Sequence, residues 1–222
     1  VLLGLGEITV GPYKPGTWAY NASLRPWPHD PERARILLSE AGWEPGGDGV
    51  REKDGMRFSF TILVNQGNEE RVKVATILQQ QFRAVGVEAS IRLVEWAAFL
   101  REFVMKGNYD ALILAWNILD DPDIFDVWHS SAISENGLNF VHFRNAEADD
   151  LLEKARAVSD RAQRKRFYDR FQEILHEEQP YLFLYVPYSL PMVQARFQGI
   201  EPAPAGITYN FDRWWVPTAL QR

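Results

Sequence analysis

The clearest regularity in the chain is a change of hydrophobic period. Phe58, Phe60, Ile62 and Val64 alternate with polar or smaller residues and predict a strand over Arg57–Val64. Val74, Ala75, Leu78, Phe82 and Val85 then recur at helical spacing over roughly residues 69–85, and Gly86 is placed to stop that helix. Val87, Ala89, Ile91 and Leu93 alternate with Glu88, Ser90 and Arg92 in a second strand, Val87–Val94. Two strands joined by a helix imply parallel pairing with a right-handed crossover. The pattern repeats with a short helix over about residues 97–106, a stop at Gly107-Asn108, and a third strand, Tyr109–Trp116. Its apolar residues do not alternate, which predicts a central parallel strand covered on both faces.

Shorter signals flank this unit. Asp30-Pro31-Glu32 has an N-cap acceptor, a proline for the first helical turn and an early acid, and Ala34, Leu37, Leu38 and Ala41 form the stripe that follows. Lys53-Asp54-Gly55 predicts a hairpin turn. Asn145 is placed to cap a helix with the stripe Ala148, Leu151, Leu152, Ala155. Asp160 with Gln163 makes a capping-box pattern for a second helix running to about Glu178, before Pro180. Tyr181–Val186 predicts a further strand, and Leu190–Phe197 is a possible one. Residues 1–29 and everything from Gln198 are rich in Gly, Pro and aromatics without a period. They predict extended, turn-rich segments in which Trp18, Tyr20 and Trp27 act as packing anchors.

Composition narrows the reading. At 222 residues and 46% hydrophobic content, the chain can bury one substantial core. A net charge of −6 argues against a nucleic-acid surface. No apolar run approaches the ~20 residues of a membrane-spanning helix. The absence of cysteine excludes disulfides and thiolate chemistry. The opening VLLGLGEITV lacks a Met and a basic leader region, so no signal peptide is expected and the chain reads as a piece of a longer protein.

The three strands end at Asn65-Gln66, Glu95-Trp96 and Trp116-Asn117. In open α/β sheets, ligands bind outside the carboxyl edge. The candidate ligand-binding residues are therefore Asn65, Gln66, Trp96, Trp116 and Asn117, with Asp120 and Asp121 from the acidic loop that follows. Indoles supply contact area and a few polar groups fix orientation. The run Asp120-Asp121-Pro122-Asp123 lacks the spacing and glycine of a calcium loop. It could serve as a general acid and base in a hydrolase, but no nucleophile accompanies it; its acids could equally cap a turn before Pro122. His29, His129, His142 and His176 have no metal-ligand spacing, and Ser130-Ser131 reads as a turn. There is no GxGxxG, P-loop or HExxH motif, and no cofactor or metal is expected.

The phrases HDPERARILLSEAGW, DGVREKDGMRFSFTILVNQGN, VEW, AWNILDDPD…WHSS, GLNF and EEQPYLFLYVP, in that order, resemble the extracellular solute-binding proteins of ABC transporters, family 5, the dipeptide/oligopeptide-binding type. That resemblance implies an α/β, periplasmic-binding-protein-like lobe (type II, cluster C-like) with a mostly parallel sheet flanked by helices. It implies a two-lobed parent that closes on a peptide or other small polar solute and delivers it to an ABC permease without chemistry. Residues 1–190 would be the C-terminal ligand-binding lobe. Residues 191–222 would be a return segment toward a missing N-terminal lobe, with Trp214 and Trp215 packing there. The parent would be periplasmic or extracellular, anchored as a lipoprotein. Trp116 matches the cleft-lining Trp of the peptide binders. The acid that pairs with the peptide amine in those proteins falls on Leu119 when counted from Trp116, so Asp120 or Asp121 would take that role in a loop about one residue short. The Arg some dipeptide binders use for the ligand carboxylate is not evident at Asn65–Asn68. A longer peptide or an oligosaccharide therefore stays open.

Overall fold

The computed structural model describes residues 1–118, 121–134, 137–204 and 206–221. In chain order the elements are β1 (Gly6–Ile8), α1 (Pro31–Glu40), β2 (Glu44–Pro45), β3 (Arg51–Lys53), β4 (Met56–Arg57), β5 (Ser59–Asn65), α2 (Glu69–Ala84), β6 (Glu88–Val94), α3 (Trp96–Ala98), β7 (Ala111–Leu112), α4 (Phe125–Trp128), α5 (Ala146–Ala157), α6 (Arg161–Glu178) and β8 (Tyr185–Pro187). Two compact units emerge. The first comprises Trp27–Trp116 and Asp126–Phe143 with Val1; the second comprises Leu2–Pro26, Asn117–Phe125 and Arg144–Arg222.

The first unit is built on the parallel sheet β6-β5-β7. The register Ile62↔Ile91 and Val64↔Leu93 sends one set of side chains toward α2, where Ile62, Val64, Ala75 and Ala89 form a core cluster. The alternate set, Leu63 and Val94, packs with Phe99, Val104 and Phe140 on the other face. The strand expected at Tyr109–Trp116 is corrected here. Only Ala111–Leu112 pair with β5, and they do so at the sheet edge; β5 is the central strand. The unbroken apolar run has a different cause. Ala111 and Ile113 join the α2 cluster while Leu112, Leu114 and Trp116 join the opposite one, so both faces are covered although the ladder is short. β5 shows the same two-sided burial at Ile62, Leu63 and Val64, which replaces the single inward face read from its alternation.

Other elements follow their local chemistry. Asp30 accepts the Arg33 N–H and Pro31 opens α1. The stripe on α1 nevertheless buries no residue, and Ile36 and Leu37 remain about half exposed. The helix is tied down by polar contacts, including Arg35 to the Ala84 carbonyl, and the apolar contact passes to Trp43, which packs on Phe58 at 4.4 Å between ring centroids. Asp54 and Gly55 both take positive φ and close the β3–β4 hairpin. The predicted helix at 97–106 begins one residue earlier, at Trp96, because the Glu95 carboxylate caps it, and it continues as a π-helix over Phe99–Val104.

Gly86 is fixed by geometry. Its φ of +81° and a would-be Cβ only 3.0 Å from the Gly49 carbonyl make any side chain strained there. The neighbouring Arg51 is 4% exposed, and its guanidinium is satisfied by the carbonyls of Val85 and Trp43 and by Ser39 Oγ.

In the second unit α5 and α6 pack together, with Asn145 and Asp160 as their N-caps. Gln179, in the left-handed region, ends α6 one residue before Pro180. Gln172, buried on α6, accepts the Asn21 N–H and donates to the Ala19 carbonyl, which seats the amino-terminal loop. The strand expected over Tyr181–Val186 is confined to Tyr185–Pro187, where it pairs antiparallel with β1. The possible strand at Leu190–Phe197 is absent; Gln198 instead bridges Trp215. No helix is long and apolar enough to cross a membrane among the described residues.

Candidate functional site

The carboxyl ends of β5 and β6 lie side by side, with Asn65 opposite Val94, and the Gln66 N–H extends the ladder to the Val94 carbonyl at 2.8 Å. Three of the expected residues of the first unit, Asn65, Gln66 and Trp96, therefore share one sheet edge. Their polar groups differ in availability. Asn65 accepts from Arg71 Nη1 at 2.7 Å, and Asn68 is engaged as the N-cap of α2. Glu95, expected as an acceptor on this edge, binds the Ala97 and Ala98 N–H groups at 2.9 and 3.0 Å. Those two hydrogen bonds hold its carboxyl below the usual range. Gln66 is exposed at the strand end.

The two indoles are each backed by a phenyl ring. Trp96 stacks on Phe99 with centroids 5.9 Å apart and planes 15° apart. Trp116 stacks on Phe140 at 5.7 Å and 19°. Phe99 and Phe140 belong to the same buried cluster, so one core supports both indoles. Trp96 is 44% exposed and Trp116 is half-buried, leaving each with area for a ligand.

Phe140 is itself held by its neighbours. Tyr109 donates its hydroxyl to the Phe140 carbonyl at 2.9 Å. Asn139, 1% exposed, donates to the carbonyls of Trp128, His129 and Phe143 and accepts the Phe143 N–H. Sequence reasoning saw GLNF only as a family phrase. The structure shows its physical content: an amide that staples the 128–143 segment and a ring that backs Trp116. His129 Nδ1 lies 2.7 Å from Ser131 Oγ and accepts the Ser131 N–H, so this pair caps a short 3-10 turn, as the sequence reading of a turn requires.

The acidic loop belongs to the second unit. Asn117 is exposed there, and Asp120 lies outside the described residues. Asp121 meets Arg164 Nη2 at 3.1 Å and accepts the Asp123 N–H at 2.9 Å. Asp123 takes Arg156 Nε on both oxygens, at 2.9 and 2.8 Å, while the same guanidinium lies 3.9 Å over the Phe125 ring. Between them, the Pro122 carbonyl accepts the hydroxyl of Tyr13 at 2.8 Å. Burial pushes the Tyr13 phenol well above its ordinary range, which keeps it a donor. The loop is thus bolted to α5, α6 and the amino-terminal segment by three side chains that the sequence did not single out. No group of three or more potential metal ligands occurs among the described residues.

A parallel sheet covered by helices on both faces, with aromatics and amides at its carboxyl edge, is the architecture of a periplasmic-binding-protein lobe. The profile of the bacterial extracellular solute-binding proteins, family 5 Middle, matches residues 1–136. The chain belongs to that family. It is 36% identical to the oligopeptide-binding protein AppA of Bacillus subtilis over 97% of its own length. The structure of AppA in complex with a nonapeptide superimposes with a TM-score of 0.79 at 34% identity, covering 97% of this chain and 43% of that one. The periplasmic binding protein DppA of Helicobacter pylori, in complex with the peptide STSA, gives 0.77 at 27% identity, over 96% of this chain and 40% of that one. The chain spans about 40% of the length of AppA.

Proposed function

We propose that this chain forms part of a binding protein that captures peptides for import through an ABC permease. The observation that carries the reading is the pair of phenyl-backed indoles on one core cluster at a parallel sheet's carboxyl edge. Rigid, half-exposed aromatic area accepts varied side chains without demanding a sequence, and edge amides and backbone groups are suited to hold an extended main chain. AppA and DppA, which resemble it over nearly its whole length, are known with peptides bound. The remaining polypeptide supplies the opposing lobe, residues 191–222 return toward it, and the parent works outside the cytoplasm as an anchored lipoprotein. Trp116, Trp96, Asn65, Gln66 and Asn117 face the solute, and the acidic loop contributes through Asp120 or Asp121. The role is capture without turnover: the acid pair considered for a hydrolase, Asp120 and Asp121, has no nucleophile beside it in the sequence.

The test is mass spectrometry of small molecules that co-purify with the whole polypeptide, followed by calorimetry with synthetic peptides of two to nine residues. Peptides in the extract and saturable binding are expected. A co-purified sugar, or no heat with any peptide, would refute the reading.

A further inference from the structure

Two Asp-Gly steps lie in the first unit, Asp48-Gly49 and Asp54-Gly55. An aspartate carboxyl can be attacked by the amide nitrogen of the next residue, and a following glycine has no Cβ to obstruct the approach. The two steps share this sequence and differ in their surroundings. At Asp48 both oxygens are held: Oδ1 accepts the Val50 N–H at 3.1 Å, and Oδ2 accepts from Arg57 Nη1 at 2.7 Å. The Arg57 bond keeps this carboxyl below its usual range, in the ionised form that resists a nucleophile. The Gly49 N–H, which would have to attack, is itself committed to the Gly46 carbonyl at 3.1 Å.

Asp54-Gly55 has neither restraint. The Asp54 carboxylate has no hydrogen-bond or ionic partner among the described residues, and the Gly55 N–H has no acceptor among them. Lys53 through Arg57 are all exposed, and nothing stands within 4 Å of where a Gly55 Cβ would be. The step forms the tip of the β3–β4 hairpin, whose second arm is two residues long. Asp54 is held there at a φ of +53°, which an aspartate adopts less readily than a glycine. A tip this short and unpacked opens locally at little cost. Opening frees the Asp54 Cα–C bond to turn until the Gly55 nitrogen faces Cγ.

We propose that Asp54-Gly55 is a self-modification site, where the folded protein converts aspartate to isoaspartate through a succinimide, and that Asp48-Gly49 is spared. The Gly55 nitrogen bonds to Cγ of Asp54 in its carboxylic acid form. The N–H proton and the Cγ hydroxyl leave as water, and a cyclic imide closes. Water then adds back at one of the two imide carbonyls and breaks that carbonyl's bond to nitrogen. Addition at the Asp54 backbone carbonyl leaves the chain running through Cγ, with a free carboxylate on Cα. Nothing is oxidised or reduced, and the mass returns to its starting value. The extra backbone methylene no longer fits a two-residue turn that requires positive φ at both positions, so the product loosens the hairpin tip.

The experiment holds the 222-residue chain at mildly acidic pH for several weeks, folded and, in parallel, unfolded in guanidinium chloride. Tryptic peptides are then mapped by electron-transfer fragmentation, and isoaspartate is labelled with an isoaspartyl carboxyl methyltransferase and a radioactive methyl donor. In the folded chain isoaspartate should accumulate at residue 54 at least about tenfold faster than at residue 48, preceded by a species lighter by one water. In denaturant the two positions should react at similar rates, since their local sequence chemistry is alike. Asp54→Glu should abolish the product, because the imide ring would be one atom larger and closes far more slowly. If folding protects residue 54 as well as it protects residue 48, each measured against the unfolded chain, the proposal is overturned. A label that persists in this peptide of Asp54→Glu overturns it as well. Asn136-Gly137, whose asparagine lies outside the described residues, reaches the same product from an amide and is told apart by its own peptide and its gain in mass.

Discussion

Trp116 lies nearly flat against Phe140, with ring centroids 5.7 Å apart. The stacking holds the indole in place before any ligand arrives, and pre-organised aromatic anchors are where binding energy concentrates. In the whole polypeptide, Trp116→Ala should weaken peptide binding by at least about tenfold, or roughly 1.4 kcal/mol. Its unfolding midpoint should fall as well, because the half-buried ring packs on the core cluster, so affinity is compared at a temperature where both proteins are folded. Calorimetry alongside thermal denaturation checks both, and unchanged affinity would remove Trp116 from the rim.

Asn139 should matter for folding rather than contact. Its amide satisfies three buried carbonyls and one buried N–H. Asn139→Ala leaves those groups unpaired, and a loss of roughly 3 kcal/mol is expected in urea unfolding.

The bolt on the acidic loop should be milder. Arg156 and Asp123 have side chains 40% and 35% exposed, so solvent screens their pairing. Arg156→Ala should cost about 1 kcal/mol, including the contact with Phe125. Arg156→Lys should recover only part of this, because an ammonium reproduces neither the planar stack nor the fork. A urea series on the three proteins measures the ordering.

Glu95 predicts a pH dependence with a definite sign. Its folded carboxyl is more acidic than an ordinary Glu because the Ala97 and Ala98 N–H groups favour the charged form. The stabilisation is therefore fully present above the unfolded value of about 4.3 and is lost as pH falls through the lower folded value. Carboxyl ¹³C titration should place the Glu95 midpoint below that of a free glutamate. Glu95→Gln should flatten this part of the acid limb of the stability curve.

Gly86→Ala tests the turn between α2 and β6. With φ at +81° and a carbonyl 3.0 Å from the new Cβ, a loss of at least about 1–2 kcal/mol is expected. A neutral outcome would mean that the turn and the buried Arg51 beside it rearrange easily.

These residues show what could be read in advance. The β5–α2–β6 unit was legible because alternation, helical spacing and glycine stops agree along one continuous stretch. The caps at Asp30, Asn145 and Asp160 were legible because capping is local chemistry. Asn139 and Phe140 were not, since their meaning depends on Trp128, His129 and Trp116, which are ten or more residues away in sequence. The place of Tyr109–Trp116 in the sheet was misread for a related reason: composition reports burial on two faces, and it does not say which strand has a neighbour on each side. The pairing of Asp121 and Asp123 with Arg164 and Arg156 was equally invisible, because nothing local in the sequence marks which arginine of a later helix meets which acid.

The backbone passes from one compact unit to the other at residues 26–27, 116–117, 125–126 and 143–144. Apart from Val1, the first unit is therefore two inserts threaded into the second, and neither unit can be excised by a single cut. A gene-level consequence follows. Recombination that exchanges the first unit between relatives has to move both inserts together, at four junctions.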